Sequence, residues 1–295
     1  MANIACLARC AAFVVGVSAA AAVPTPAQSL SYVGGLQYAT GDFIFTQRTW
    51  SAYLSNGLAW STGRVRASAS VPLVMQPAGW LQYSGTGMMV PTGGIAGGAG
   101  SPPSTSAGMG SGMNGMSGGT MTPSSGMPFS GIGIGDPVGR IDVTVSRADV
   151  GRPSVSLVGA VKAPLADVRR GFGTGEWDVG AGLSGAMSVG GISVLADAVY
   201  WKLGNPASAS LRNALAYALS IGRALPRSPW SVLGTVSGAS SLWTGLEAPV
   251  QAGMGVGYLL ESGSSVFVTA AAGLTRTAPS LSTGLGWRVP LGAAR

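Results

Sequence analysis

The sequence predicts an all-β fold, a transmembrane antiparallel up-and-down β-barrel of about 12 strands. Three observations predict it. Charged residues make up only 9% of the 295-residue chain, whereas a soluble domain carries roughly 25%. Apolar residues alternate with small or polar ones over runs of roughly ten residues, the length that a tilted membrane-spanning strand needs. Short and long connections alternate between these runs, as they do in bacterial barrels.

The central stretch, residues 154–203, shows the alternation most clearly. Apolar residues occupy every second position in three runs, at 155–163, 177–189 and 192–200. A period of two indicates β-strands, because successive side chains of a strand point to opposite faces. The pair Gly190-Gly191 between the last two runs is a typical hairpin turn.

Nine further runs bring the expected strand count to twelve, an even number as in bacterial single-chain barrels. They lie at residues 32–38, 50–60, 65–73, 141–145, 215–221, 230–236, 250–260, 266–274 and 281–291. If the first strand runs outward, the periplasmic connections are all short, at 61–63, 148–152, 190–191, 224–229 and 261–264. Most of the other connections are longer and are expected to face the outside.

The two faces of these strands predict different surroundings, since the apolar face of a barrel meets lipid and the polar face lines the lumen. The expected lumen-lining charges are Arg64, Arg66, Arg140, Asp142, Lys162, Asp178 and Asp197. The four cations in this set predict a preference for anions at a constriction. Aromatic residues near strand ends suit girdles at the two bilayer interfaces, namely Trp50, Trp60, Trp177, Trp230, Trp287, Tyr200, Tyr217 and Tyr258.

The chain is expected to divide into a signal peptide, residues 1–27, and a barrel, residues 28–295. Arg9, a short apolar run and a small-residue cleavage site are typical of a secretory leader. A Gly/Ser/Pro-rich insert at about 76–136 contains seven of the eleven methionines. We expect it to be an extracellular loop that is inert or plugs the mouth; a Cu(I) site at Met113 and Met116 is the alternative, because thioethers are soft ligands.

Catalytic and cofactor chemistry is not expected. The chain has no histidine, which excludes Ser-His and Cys-His nucleophiles. Glu176 and Asp178 are expected to share a strand face and are a possible carboxylate pair, but the preferred interpretation is two lumen or rim charges beside Arg169 and Arg170. The net charge of +7 is spread thinly, which argues against nucleic-acid binding. The prediction is therefore a non-enzyme with no cofactor and no metal.

Three motifs resemble an outer-membrane barrel family labelled "MetA-pathway of phenol degradation". They are Gly133-Ile134-Gly135-Asp136, the strand end Lys162-Ala163-Pro164, and a Gly-Thr-Gly turn followed by an acid, with Gly173, Thr174, Gly175 and Asp178. The resemblance implies a location in the outer membrane of a Gram-negative bacterium and passage of small aromatic or apolar solutes. It also implies insertion by the barrel-assembly machinery.

Two hypotheses for function follow. The first is a channel or transporter for passive passage of small solutes, with outer-membrane lipid and a small-molecule solute as partners. The second is a non-transporting structural or surface-display barrel that presents the long insert to a partner. An enzyme in the barrel wall and a soluble secreted β-sandwich are the remaining, less favoured alternatives.

Overall fold

A computed structural model describes residues 28–43, 48–76, 81–83, 89–91, 131–148, 152–168, 171–205, 211–242 and 244–291. Strands account for most of this part of the chain. They are β1 (Ser29–Gly41), β2 (Thr49–Thr62), β3 (Val65–Gln76), β4 (Leu81–Tyr83), β5 (Met89–Pro91), β6 (Gly131–Ile134), β7 (Val138–Ser146), β8 (Ser154–Lys162), β9 (Asp178–Val189), β10 (Ile192–Lys202), β11 (Ala214–Ala224), β12 (Trp230–Ala239), β13 (Val250–Leu259), β14 (Ser265–Gly273) and β15 (Leu281–Pro290). No helix in these ranges is long and apolar enough to cross a membrane.

Twelve of these strands close into one antiparallel barrel. Each of β7 to β15 pairs with its neighbour in sequence, and β1 pairs with both β2 and β15. The strand β3 completes the ring by pairing with β2 on one side and β7 on the other. The predicted 12-stranded antiparallel barrel is therefore confirmed. Closure leaves no free sheet edge, which is what a sheet in lipid requires.

Connection lengths alternate around the barrel, as predicted. At one end, the short-turn end, the connections are 63–64, 147–153, 190–191, 225–229 and 260–264; at the other, the long-loop end, they include 163–177, 203–213 and 240–249. The hairpin at Gly190-Gly191 is confirmed, with φ of 58° and 80°. Both values lie in the left-handed region that a primed two-residue turn needs and that glycine adopts without a steric penalty.

The predicted insert contains structure at both of its ends. The strands β4 and β5 form a small antiparallel hairpin that the sequence did not predict. The strand β6 pairs with the last residues of β3, above the point where β7 pairs with the same strand. The motif containing Gly133 thus lies in the barrel wall. Met113, Met116 and the predicted signal peptide lie outside the described residues.

The outer face of the barrel is apolar along its whole circumference. Large side chains such as Leu219, Ile221 and Val268 are about half exposed there, although a soluble protein rarely exposes a contiguous apolar surface of this kind. Aromatic residues border this band at both ends, as predicted. Trp50 stacks with Tyr38 at the long-loop end, and Trp230 meets Tyr258 edge to face, with ring centroids 4.8 Å apart, at the short-turn end.

Candidate functional site

The inner face of the barrel has two dissimilar halves. Strands β3 and β7 to β10 carry inward charges and form the charged wall. The remaining strands form the hydroxyl wall, where Arg288 is the single charged side chain among the described inward positions. Hydroxyl and amide groups there bond to one another: Ser220 Oγ donates to Thr235 Oγ1 at 3.0 Å, and Gln251 Nε2 donates to Ser237 Oγ at 3.1 Å.

The centre of the charged wall holds an arginine between two carboxylates. Arg140 donates from Nε to both Asp142 oxygens at 3.1 Å, and its terminal nitrogen lies 2.8 Å from Asp142 Oδ1. The same terminal nitrogen lies 2.6 Å from Asp197 Oδ2. Such forked, charge-assisted bonds are among the stronger ones in proteins. Arg66 stands directly opposite Asp142 on the neighbouring strand. We call these four residues the central network; its formal charges sum to zero.

Arg140 reaches Asp197 across two intervening strands. It starts on β7, and Asp197 belongs to β10, so its side chain passes over the inner faces of β8 and β9. On β9, below this path, Gly180 and Gly182 face inward, and a Cβ at either would overlap β10, with Ala198 O the nearest atom at Gly182. The close packing of β9 against β10 at these two positions therefore requires glycine.

A second ionic cluster lies at the long-loop end and is fully enclosed. The Lys162 side chain is 0% exposed and Asp178 is 1% exposed. Lys162 Nζ donates to Thr174 Oγ1 at 2.6 Å and to Asp136 Oδ2 at 3.2 Å, and pairs with Asp178 Oδ2 at 3.1 Å. An ammonium has three donors, so this arrangement satisfies all of them. We call these four residues the lysine cluster.

The lysine cluster joins all three motifs that carry the family resemblance. Asp136 ends the first motif, Lys162 begins the second, and Thr174 and Asp178 belong to the third. The carboxylates also hold loop backbone, because Asp136 Oδ1 accepts from Ala166 N at 2.9 Å and Asp178 Oδ1 accepts from Gly204 N at 3.0 Å. The cluster thus ties the 163–177 loop and the start of the 203–213 loop to the barrel rim.

The glycines of the third motif and the proline of the second motif fit closely into these loops. A Cβ on Gly173 would lie 2.5 Å from Asp136 Oδ2 and 2.7 Å from Ala166 Cβ. Gly175 has φ of 75°, in the left-handed region that favours glycine. Pro164 follows Ala163, whose N–H bonds to Pro137 O at 3.0 Å. The sequence motif is therefore explained by the backbone packing around the lysine.

Apolar side chains from the loops fold inward and narrow the long-loop mouth. Phe172 packs with Phe43, Tyr53 and Val74, and its ring lies against Gly133 of β6. On the other side of the mouth, Trp201 belongs to a larger cluster that also contains Val158, Val199, Leu203, Leu211 and Leu242. Gln76 Nε2 donates to Gly171 O at 3.0 Å and holds the Phe172 segment in place. We call this region the apolar mouth.

The predicted lumen charges are placed in three different settings. Arg66, Arg140, Asp142 and Asp197 come together in the central network. Lys162 and Asp178 face inward but are enclosed, so they do not line water-filled space. Arg64 lies exposed in the two-residue turn at 63–64, because β2 extends to Thr62 and moves the turn one residue further than predicted.

The predicted anion preference needs correction for two of its four cations. Arg140 is bonded to two carboxylates, and Lys162 is enclosed by Asp136 and Asp178. Neither presents an uncompensated positive charge to a solute. Glu176 also precedes β9 and does not share a strand face with Asp178. Among the described residues, no group of three or more histidine, cysteine or acidic side chains is arranged to hold a metal ion.

Several site residues were not predicted from the sequence. Asp136 was expected to belong to a family motif but not to pair with Lys162. Its place directly after the Gly-Ile-Gly segment was the signal that could have singled it out. Phe172 and Trp201 were not expected to face inward; Trp201 follows Tyr200, and strand alternation would have placed it inside. Nothing in the sequence indicated a role for Gln76, because its hydrogen bond to Gly171 joins residues that are 95 positions apart.

The closed barrel, its apolar outer band and its polar interior define an outer-membrane β-barrel. The predicted location, the outer membrane of a Gram-negative bacterium, agrees with this fold. The structure is similar to that of the COG4313 outer membrane channel from Pseudomonas putida F1. The TM-score is 0.58 with 9% sequence identity, over 92% of this chain and 97% of that chain. At this identity, the likeness concerns the fold.

Other solved barrels match with lower scores. The beta domain of the Bordetella autotransporter BrkA gives a TM-score of 0.41 at 13% identity, over 89% of this chain and 99% of that chain. The outer membrane protein OpdK from Pseudomonas aeruginosa gives 0.34 at 9% identity, over 90% and 98%. No protein-family model and no curated protein sequence matches the chain.

Proposed function

We propose that this protein is a channel for passive passage of small solutes across the outer membrane. One observation carries the proposal: a closed barrel of twelve strands encloses an inner face of hydroxyls, small residues and a charge-balanced network. A barrel of this size has room for a narrow lumen. The fold shared with an outer membrane channel supports the same function.

We further propose that the solutes are small and aromatic or apolar. The long-loop end is packed with apolar side chains, among them Phe43, Phe172 and Trp201, which are buried in their clusters. An entrance packed in this way favours apolar solutes, because apolar surfaces associate in water. The resemblance to the phenol-degradation family points to the same class of solute.

Solute uptake by proteoliposomes tests this function. The refolded chain, from residue 28 onward, is reconstituted and mixed with isosmotic solutions of neutral solutes of similar size. We expect swelling with small solutes, faster for an aromatic alcohol than for a sugar alcohol after correction for protein-free liposomes. Equal rates would contradict the solute class. No swelling by liposomes that contain folded barrel would contradict passive passage itself.

The second candidate function is display of the insert, because the strands β1 to β3 and β7 to β15 complete the barrel ring by themselves. Deleting residues 92–125 distinguishes the two candidates. A channel is expected to retain swelling, because β3 still pairs with β6 and β7. A display barrel would show no swelling with or without the insert, and binding of the partner would be lost with the deletion.

We also propose how the chain is exported and inserted, and that it is not an enzyme. Residues 1–27 direct export and are then removed, and the barrel-assembly machinery inserts the chain. The protein acts without catalysis, and neither metal nor cofactor takes part. The solved barrels that it resembles include channels and porins. Detection of residues 1–27 in the outer-membrane form of the protein would contradict the first of these proposals.

A further inference from the structure

The central network brings opposite charges together on the inner face, with Asp142 and Asp197 near the middle of β7 and β10. Arg140 is 11% exposed, whereas Lys162 is 0% exposed. The network can therefore act on ions in the lumen, while the lysine cluster is shielded by the loops. The described inward positions of the hydroxyl wall carry no carboxylate, and their one charged side chain, Arg288, donates to Ser31 Oγ.

We propose that Asp142 and Asp197 set the ion selectivity of the lumen by neutralising Arg140 and Arg66. This inference rests on the proposed channel function. Two guanidiniums and two carboxylates give the central network itself no net charge, so the intact network does not favour anions over cations. Loss of either carboxylate leaves a positive charge in a constricted, low-dielectric space, where its field on a passing ion is strong.

Asp142 and Asp197 bond to different sides of the Arg140 guanidinium, so each acid is expected to affect the ion selectivity separately. Asp142 occupies the Nε side of the Arg140 guanidinium, and Asp197 occupies the outer side. Removing Asp197 leaves Arg140 held by Asp142, so the guanidinium remains in place with one compensating charge fewer. Removing Arg140 instead leaves two carboxylates facing Arg66 alone. The two changes are therefore expected to shift selectivity in opposite directions.

Reversal potentials in planar bilayers under a KCl gradient test the inference. The wild-type potential is the reference for each variant. D197N should raise the chloride-to-potassium permeability ratio several-fold, and R140Q should lower it several-fold. The double variant R140Q/D197N removes one charge of each sign and should return the ratio towards the wild-type value. A merely structural role for these residues would not produce shifts of opposite sign that cancel.

R223Q is the matched control for R140Q, because Arg223 is exposed near the short-turn end on the outer face. It should leave the ratio unchanged.

If D197N does not fold, D142N should show the anion shift, and R66Q the cation shift. Conducting variants whose reversal potentials equal that of the wild type would overturn the inference but not the channel. A folded, silent wild type would overturn both.

Discussion

Replacing Lys162 with methionine is expected to release the 163–177 loop from the barrel. The substitution removes a charge that is bonded to Asp136, Asp178 and Thr174 inside an enclosed site. Two carboxylates then remain buried without the ammonium that neutralises them. Breaking a buried pair in this way costs about 3–5 kcal/mol. We expect trypsin to cleave the folded variant after Arg169 or Arg170 faster than it cleaves the wild type there.

The chain provides its own control, because its other lysine, Lys202, is exposed at the end of β10. K202M should change the free energy of unfolding by no more than about 0.5 kcal/mol, as is usual for surface changes. An amine-reactive reagent should modify Lys202 in the folded wild type and spare Lys162. Modification of both lysines at equal rates, or equal protease resistance of K162M and K202M, would show that the lysine cluster does not hold the loop.

Replacing Gly173 with alanine is expected to disrupt the same cluster without changing any charge. The new Cβ would lie within 2.7 Å of both Asp136 carboxylate oxygens and of Ala166 Cβ, so the loop must move away from the rim. Overpacking of this kind costs about 1–3 kcal/mol. Urea unfolding of the barrel in lipid vesicles measures the loss, and protease digestion shows where the structure opens.

Gly234 is the matched control for this substitution. A Cβ at that position would meet only Ile221 O, at 3.9 Å, an ordinary van der Waals distance on the lipid-facing side. G234A should therefore unfold at the wild-type urea concentration. If G173A were as stable and as protease-resistant as G234A, the close packing of Asp136 against the Gly-Thr-Gly turn would not be needed for the fold.

Sequence alone predicted the barrel because strand alternation is a local signal. Each strand faces lipid on one side and the interior on the other. Neighbours such as Leu157 and Ser156 therefore show by their polarity alone which face each of them occupies. Turn chemistry is local too, as Gly190-Gly191 shows. The error at Arg64 arose because a shift of the turn by one residue moves a side chain from a strand face to the rim.

The ionic clusters could not be predicted in the same way. Arg140 and Asp197 are 57 residues apart, and Lys162 and Asp136 are 26 apart. Their contacts depend on strand register and on barrel closure. The alternation correctly placed Arg140 and Lys162 on the inner face. It could not show that Arg140 is shared by two carboxylates or that a loop encloses Lys162.

Single-channel recording of the wild-type protein tests the central claim most directly. The refolded chain is added to a planar bilayer after a gel has shown the heat-shifted band of a folded barrel. We expect discrete conductance steps, because the polar inner face and the central network provide a path for ions. A folded protein that inserts into the bilayer and never conducts would contradict the claim that this barrel is a channel.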